Sequence, residues 1–77
     1  MALFYFHLLD GDKIDEDTEG IELPDLETAK SECRQTAREM MIENIALGLP
    51  VHNQVFEVCD EFGSLLFKLA FSDVLDS

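Results

Sequence analysis

Asp25-Leu26 at one end and Gly48-Leu49-Pro50 at the other enclose the longest run of this chain that contains neither glycine nor proline. Asp25 is a favourable N-cap, and Glu27 lies in the first turn, where the helix dipole favours an acid. Gly48 has the composition of a left-handed C-terminal cap, Leu49 supplies its hydrophobic contact, and Pro50 cannot continue a helix. The pattern therefore predicts a helix over Leu26 to Leu47, roughly 33 Å long. In a chain of 77 residues, one such helix leaves room only for short elements that must share its apolar face.

At about 100° per residue, Ala29, Cys33, Ala37, Met40, Met41 and Leu47 fall within about 60° of Leu26 on either side. This stripe is built from small residues near its start, so the helix can lie close to a sheet there. The polar flanks differ in sign. Lys30, Arg34 and Arg38 fall at about +40° to +120°, and Glu32, Glu39 and Glu43 at about -100° to -140°. Two copies of such a helix could pair antiparallel, basic edge to acidic edge, although a plain solvated face has the same composition. Ile42, Ile45 and Ala46 lie off the stripe, which points to contact with another chain.

The remaining apolar segments have the length and composition of strands. Leu3 to Leu9 is aromatic-rich and too short for a typical helix. Alternation sets Phe4, Phe6 and Leu8 against Leu3, Tyr5, His7 and Leu9; both faces are largely apolar, which predicts a central strand. Asp10-Gly11-Asp12 reads as a turn. Gly20 to Leu23 alternates like a short edge strand stopped by Pro24, and the acids before it could blunt that edge against pairing. Gln54 to Asp60, with Phe56 and Val58 inward, and Ser64 to Phe71, with Leu65, Phe67, Leu69 and Phe71 on one face, form a hairpin turned through Asp60-Glu61-Phe62-Gly63. Ser72 to Ser77 is a polar tail with a helical turn through Asp73 and Leu75. The expected architecture is a single α+β domain over residues 1–77, strand-strand-helix-strand-strand, with a small antiparallel sheet carrying one long helix on one face.

Charge narrows the partners. Acids outnumber bases 17 to 5, for a net charge of -12, and the segment Asp10 to Glu22 alone carries -6. Such a potential repels phosphate, so the chain should bind neither nucleic acid nor an anionic membrane unaided, and a basic partner would be steered towards it. No segment approaches the roughly 20 apolar residues of a membrane span, and no basic region precedes Ala2 to Leu9 as in an export signal. With only Cys33 and Cys59, and no Cys-x-x-Cys, the sequence reads as a cytoplasmic protein with two reduced thiols.

Chemistry is sparse. Asp15-Glu16-Asp17-Thr18-Glu19-Gly20 resembles the start of an EF-hand loop, but Leu26 stands where the twelfth-position carboxylate belongs and a strand precedes it. His7 in a strand and His52 in a loop form no local motif with either cysteine or a serine, and the four glycines all read as punctuation rather than a phosphate loop. The expectation is a non-enzyme with no cofactor and no metal.

Tyr5-Phe6-His7-Leu8 followed by Asp10-Gly11, then Glu19-Gly20, Glu22-Leu23-Pro24-Asp25, Ala29, Asp60-Glu61 with Gly63, and Phe71 with Asp73 resemble a family of short, functionally uncharacterised alphaproteobacterial proteins over nearly the whole chain. That resemblance implies organisation and source but no mechanism. The tyrosine start and the Pro24-Asp25-Leu26 approach to the helix are also similar to the antitoxin subunits of the Hic toxin–antitoxin systems over residues 5–50. This likeness implies one helix packed on a small antiparallel sheet, and the chain lacks any appended DNA-binding segment.

Small size favours self-association. Burial contributes on the order of 115 to 120 kcal/mol and ordering the chain costs roughly 115 kcal/mol, a near balance that a second subunit would tip. The function expected is a small homodimeric interaction or regulatory protein, with an antitoxin-like inhibitor of a basic protein as the second reading and a cation-binding or enzymatic role as the third. Tyr5, His7 and Leu9 on the strand, and Arg34, Arg38, Ile42 and Ile45 on the helix, are the candidate interface residues.

Overall fold

The computed structural model describes residues 1–50 and 53–75. In chain order the elements are β1 (Ala2–Asp10), β2 (Lys13–Asp15), β3 (Ile21–Leu23), α1 (Leu26–Leu47), β4 (Gln54–Cys59), β5 (Leu65–Ala70) and α2 (Phe71–Leu75). All strand pairs are antiparallel, in the order β2-β1-β4-β5, with β3 also pairing β1. The fold is α+β, an open five-stranded sheet with one long helix across it. His52, read from sequence as a loop histidine, and the end of the tail, Asp76 and Ser77, lie outside the described residues.

β1 is central, as its two apolar faces predict. β4 pairs it from Tyr5 to Asp10, β2 pairs Leu8 to Asp10, and β3 pairs Ala2 to Phe4. The five-stranded count exceeds the four strands expected, because Lys13-Ile14-Asp15 lies in a polar segment without strand alternation; the tight turn at Gly11 and Asp12 folds it back onto β1. A three-residue strand flanked by acids has too little apolar content to stand out from its surroundings, and its pairing comes from β1's unsatisfied edge.

The helix begins and ends where its caps place it. Asp25 Oδ1 accepts from the Thr28 amide at 2.8 Å, and Gly48, at φ 73°, closes the end with Gly48 N–H to Ile45 O at 3.1 Å and Leu49 N–H to Asn44 O at 2.8 Å, the paired bonds of a Schellman cap. Ala29, Cys33 and Ala37 are fully buried and Met41 nearly so; they meet Phe4, Phe56 and Val58, with Phe6, Leu8, Leu23, Met40, Phe67 and Leu69 around them. The stripe is shorter than its periodicity implies. Leu26 and Leu47 are exposed, so the buried stripe runs from Ala29 to Met41.

Two further departures concern the hairpin. Phe71 does not extend β5 but starts α2, where it and Val74 are buried and its ring lies 5.4 Å from that of Phe56, closing the core beside α1. The register shifts between Val58 and Cys59, so that Val58 pairs Phe67 while Cys59 pairs Leu65. The extra residue reverses the alternation, and Leu65, expected inward with Phe67, is 51% exposed.

One carboxylate joins the two halves of β1's shared edge. Between the stretches paired by β2 and β3, Asp17 Oδ2 accepts from Phe6 N–H at 3.1 Å, and Oδ1 accepts from Glu19 N–H at 3.2 Å and Gly20 N–H at 3.1 Å. The Asp17 amide in turn donates to His7 Nδ1 at 3.0 Å. Gly20 is required here: its φ is +72°, and an added Cβ would come within 3.0 Å of the Tyr5 ring and 3.1 Å of Phe4 O. Burial by itself would push the Asp17 carboxyl up, but the amides of Phe6, Gly20 and Glu19, with His7, outweigh it and hold the group below its ordinary value of 3.8.

Asp17→Asn should lower the unfolding free energy at neutral pH by about 1 to 2 kcal/mol, a range reduced for partial exposure. Because the folded carboxyl titrates below the unfolded one, its contribution is complete above the ordinary value of 3.8 and is lost as pH falls through the folded value. Urea melts of the two proteins should therefore converge in acid; a gap that persisted at about pH 2 would assign the loss to something other than the carboxylate. The thiols make a second expectation. Burial pushes Cys33 up to about 12, against a small opposing effect of Arg34, whereas Cys59 is only partly buried, its thiol raised by burial and by Glu57 and Asp60. A disulfide reagent should modify Cys59 in the native protein and Cys33 only on unfolding; equal rates would contradict the packing of Cys33 beneath α1.

Candidate functional site

Three surfaces remain after the core is assembled. The first is the sheet face turned away from α1. Residues paired across antiparallel strands project to the same side, so the register places Ile14, Leu9, Val55 and Ala70 in one row, His7, Glu57 and Lys68 in the next, and Tyr5, Cys59 and Leu65 in a third. Tyr5 and His7 stack with their rings parallel to within 8° at 6.4 Å. Lys68 Nζ lies 3.3 Å from Glu57 Oε2, so the middle row is charge-balanced. No described element covers this face. Tyr5, His7 and Leu9, all singled out from the sequence, are thus brought together.

The second surface is a groove of about 240 Å³ between the C-terminal half of α1 and α2, lined by Arg38, Met41, Ile42, Ile45 and Val74. Ile42 and Ile45 are 68% and 63% exposed, as their angular position predicts. Arg34 is half-buried and does not line the groove as Arg38 does. The helix set and the strand set of candidate residues therefore lie on opposite sides of the sheet and cannot form one continuous patch.

The third is a cleft of about 320 Å³ between β2 and α1, with Phe6, Leu8, Phe56 and Met40 as its floor and Asp15, Glu16, Asp17 and Thr36 around it. Sequence reasoning missed both this cleft and the parts that Ile14, Val55, Cys59 and Leu65 play in the outer face. Ile14, alone in an acidic run, was the available signal for β2; the register shift that turns Leu65 outward left no trace in the alternation.

Chemical capacity is limited on all three. Among the described residues no group of three His, Cys, Asp or Glu side chains could hold a metal ion. Asp17, the third position of the EF-hand-like run, has both oxygens engaged by backbone amides. His7 lies on an open sheet face with Nδ1 engaged by a backbone amide. No helix of the described residues is long and apolar enough to cross a membrane.

No curated protein and no solved structure matches the chain. Residues 3–72 match a family described as a domain of unknown function, DUF6894. That match spans β1 through the start of α2 and so takes in the outer sheet face, the cleft and all of the helix groove except Val74. The chain belongs to this DUF6894 family of domains of unknown function.

Proposed function

We propose that this protein is a non-enzymatic interaction module that works as a homodimer, joined through the sheet face opposite α1. The observation that carries the reading is that this face is apolar, charge-balanced and uncovered in a chain whose net charge is -12. A second copy can approach there without setting like charges against each other, because the acidic segment runs along the β2 and β3 edge instead. An isologous contact about a twofold axis closes on itself and needs no other component.

Magnitudes support a modest affinity. The chain exposes 5139 Å², against roughly 4,700 Å² for a typical monomer of its mass. β1, β4 and β5 at about 4.8 Å spacing over six residues, with the short β2 beside them, span roughly 340 Å² in plan, so two copies meet in the size range of weak, transient encounters. Dissociation in the micromolar range is the expected behaviour. The Glu57–Lys68 pair adds little, since an exposed ion pair contributes about 0 to 1 kcal/mol.

Light scattering across a concentration series should show mass rising towards twice 8.7 kDa. Leu65→Asp, at an exposed position that tolerates polarity in the monomer, should weaken the dimer roughly tenfold or more, as should a bulky adduct on Cys59. Ile42→Asp should leave it unchanged. A mass of 8.7 kDa throughout would sink the proposal, and dissociation by Ile42→Asp alone would move the interface to the helix groove.

A further inference from the structure

The cleft between β2 and α1 carries a sign as well as a shape. Its floor is made by Phe6, Leu8, Phe56 and Met40, and no basic residue lines it. On the sheet side, Asp15 and Glu16 are exposed and make no ion pair among the described residues. On the helix side, Thr36 falls at about -80° from Leu26, on the flank that carries Glu32, Glu39 and Glu43 at about -100° to -140°. The bases of α1 occupy the other flank. Acids therefore line the sheet side of an apolar trough, and the helix side is lined by the neutral Thr36 and Met40.

Long cationic side chains match that arrangement. Lysine and arginine have aliphatic stems that cover apolar surface while the charged head stays in polar surroundings. At about 320 Å³ the cleft lies at the low end of small-molecule sites, and holds a few side chains rather than a cofactor. We propose that the cleft between β2 and α1 is the docking site for a short basic segment of a partner protein, its stems lying on Phe6, Leu8, Phe56 and Met40 and its charges meeting Asp15 and Glu16. The proposal rests on the interaction-module reading but not on the dimer, since the cleft lies on the helix side of the sheet. A second copy of this chain is a poorer occupant. Its three helix bases belong to a chain of net charge -12, so docking them would also bring its acids up to an acidic cleft.

Fluorescein-labelled hexalysine, followed by anisotropy at about 150 mM salt, tests the site. Asp15→Lys/Glu16→Lys should weaken binding roughly tenfold or more, whereas Glu27→Lys/Glu61→Lys, with the same change in net charge placed elsewhere, should change it less than about threefold. Thr36→Trp fills the cleft without altering charge and should also weaken binding by roughly tenfold. Equal losses in the two charge-reversal pairs, or full binding to a folded Thr36→Trp, would show diffuse attraction to an acidic surface and overturn the proposal. If Thr36→Trp does not fold, amide NMR shifts of the unsubstituted protein decide: changes centred on Leu8, Thr36 and Met40 support the cleft, and changes spread over all acidic segments refute it. Light scattering of Asp15→Lys/Glu16→Lys keeps the two proposals separate, because this variant should retain the dimer while losing the peptide.

Discussion

Asp17 holds together what the backbone ladder leaves open. β1 shares one edge between β2 and β3, which pair its C-terminal and N-terminal ends and leave Phe6 N–H between them. A buried or half-buried amide without a partner costs about 1 to 3 kcal/mol, and a small domain has little stability to absorb it. The Asp17 carboxylate accepts from that amide and from two amides of its own loop. Both short strands then stay in register, and the loop is pulled so close that only glycine fits at position 20.

From that edge the two sides of the sheet acquire different roles. On the helix side, the small residues Ala29, Cys33 and Ala37 let α1 settle directly on Phe4, Phe56 and Val58. The larger Met40 and the half-buried Phe6 and Leu8 line the cleft between the helix and β2. On the other side, nothing in the chain is left to cover β1, β4 and β5 once the single long helix is committed. The uncovered face and the acidic cleft are both consequences of having one long helix for five strands.

Charge is partitioned in the same way. The outer face balances Glu57 with Lys68, whereas the strongly acidic Asp10 to Glu22 segment forms the β2 and β3 edge. A short edge strand dense in acids resists pairing with other chains, and the same acids line one side of the cleft. Solvation, edge protection and attraction of a basic segment are compatible roles for one set of residues.

Much of the fold was legible in the sequence because it rests on local physics. Asp25 and the Gly48-Leu49-Pro50 stop bound α1 through their own hydrogen bonds, the alternation of β1 marks a strand apolar on both faces, and Phe56 with Val58 identifies the inward face of β4. The positions of Tyr5, His7 and Leu9 on one open face, and the exposure of Ile42 and Ile45, follow from periods of two and 3.6 residues. Tertiary structure decided the rest. β2 exists because β1 has an edge to satisfy, Leu65 faces outward because one extra residue enters the β4–β5 ladder, and Phe71 turns into α2 because the core beside Phe56 is open there. Asp15 and Glu16 come to flank an apolar cleft only when β2 is laid beside α1, a meeting of residues far apart in the chain that no local periodicity encodes.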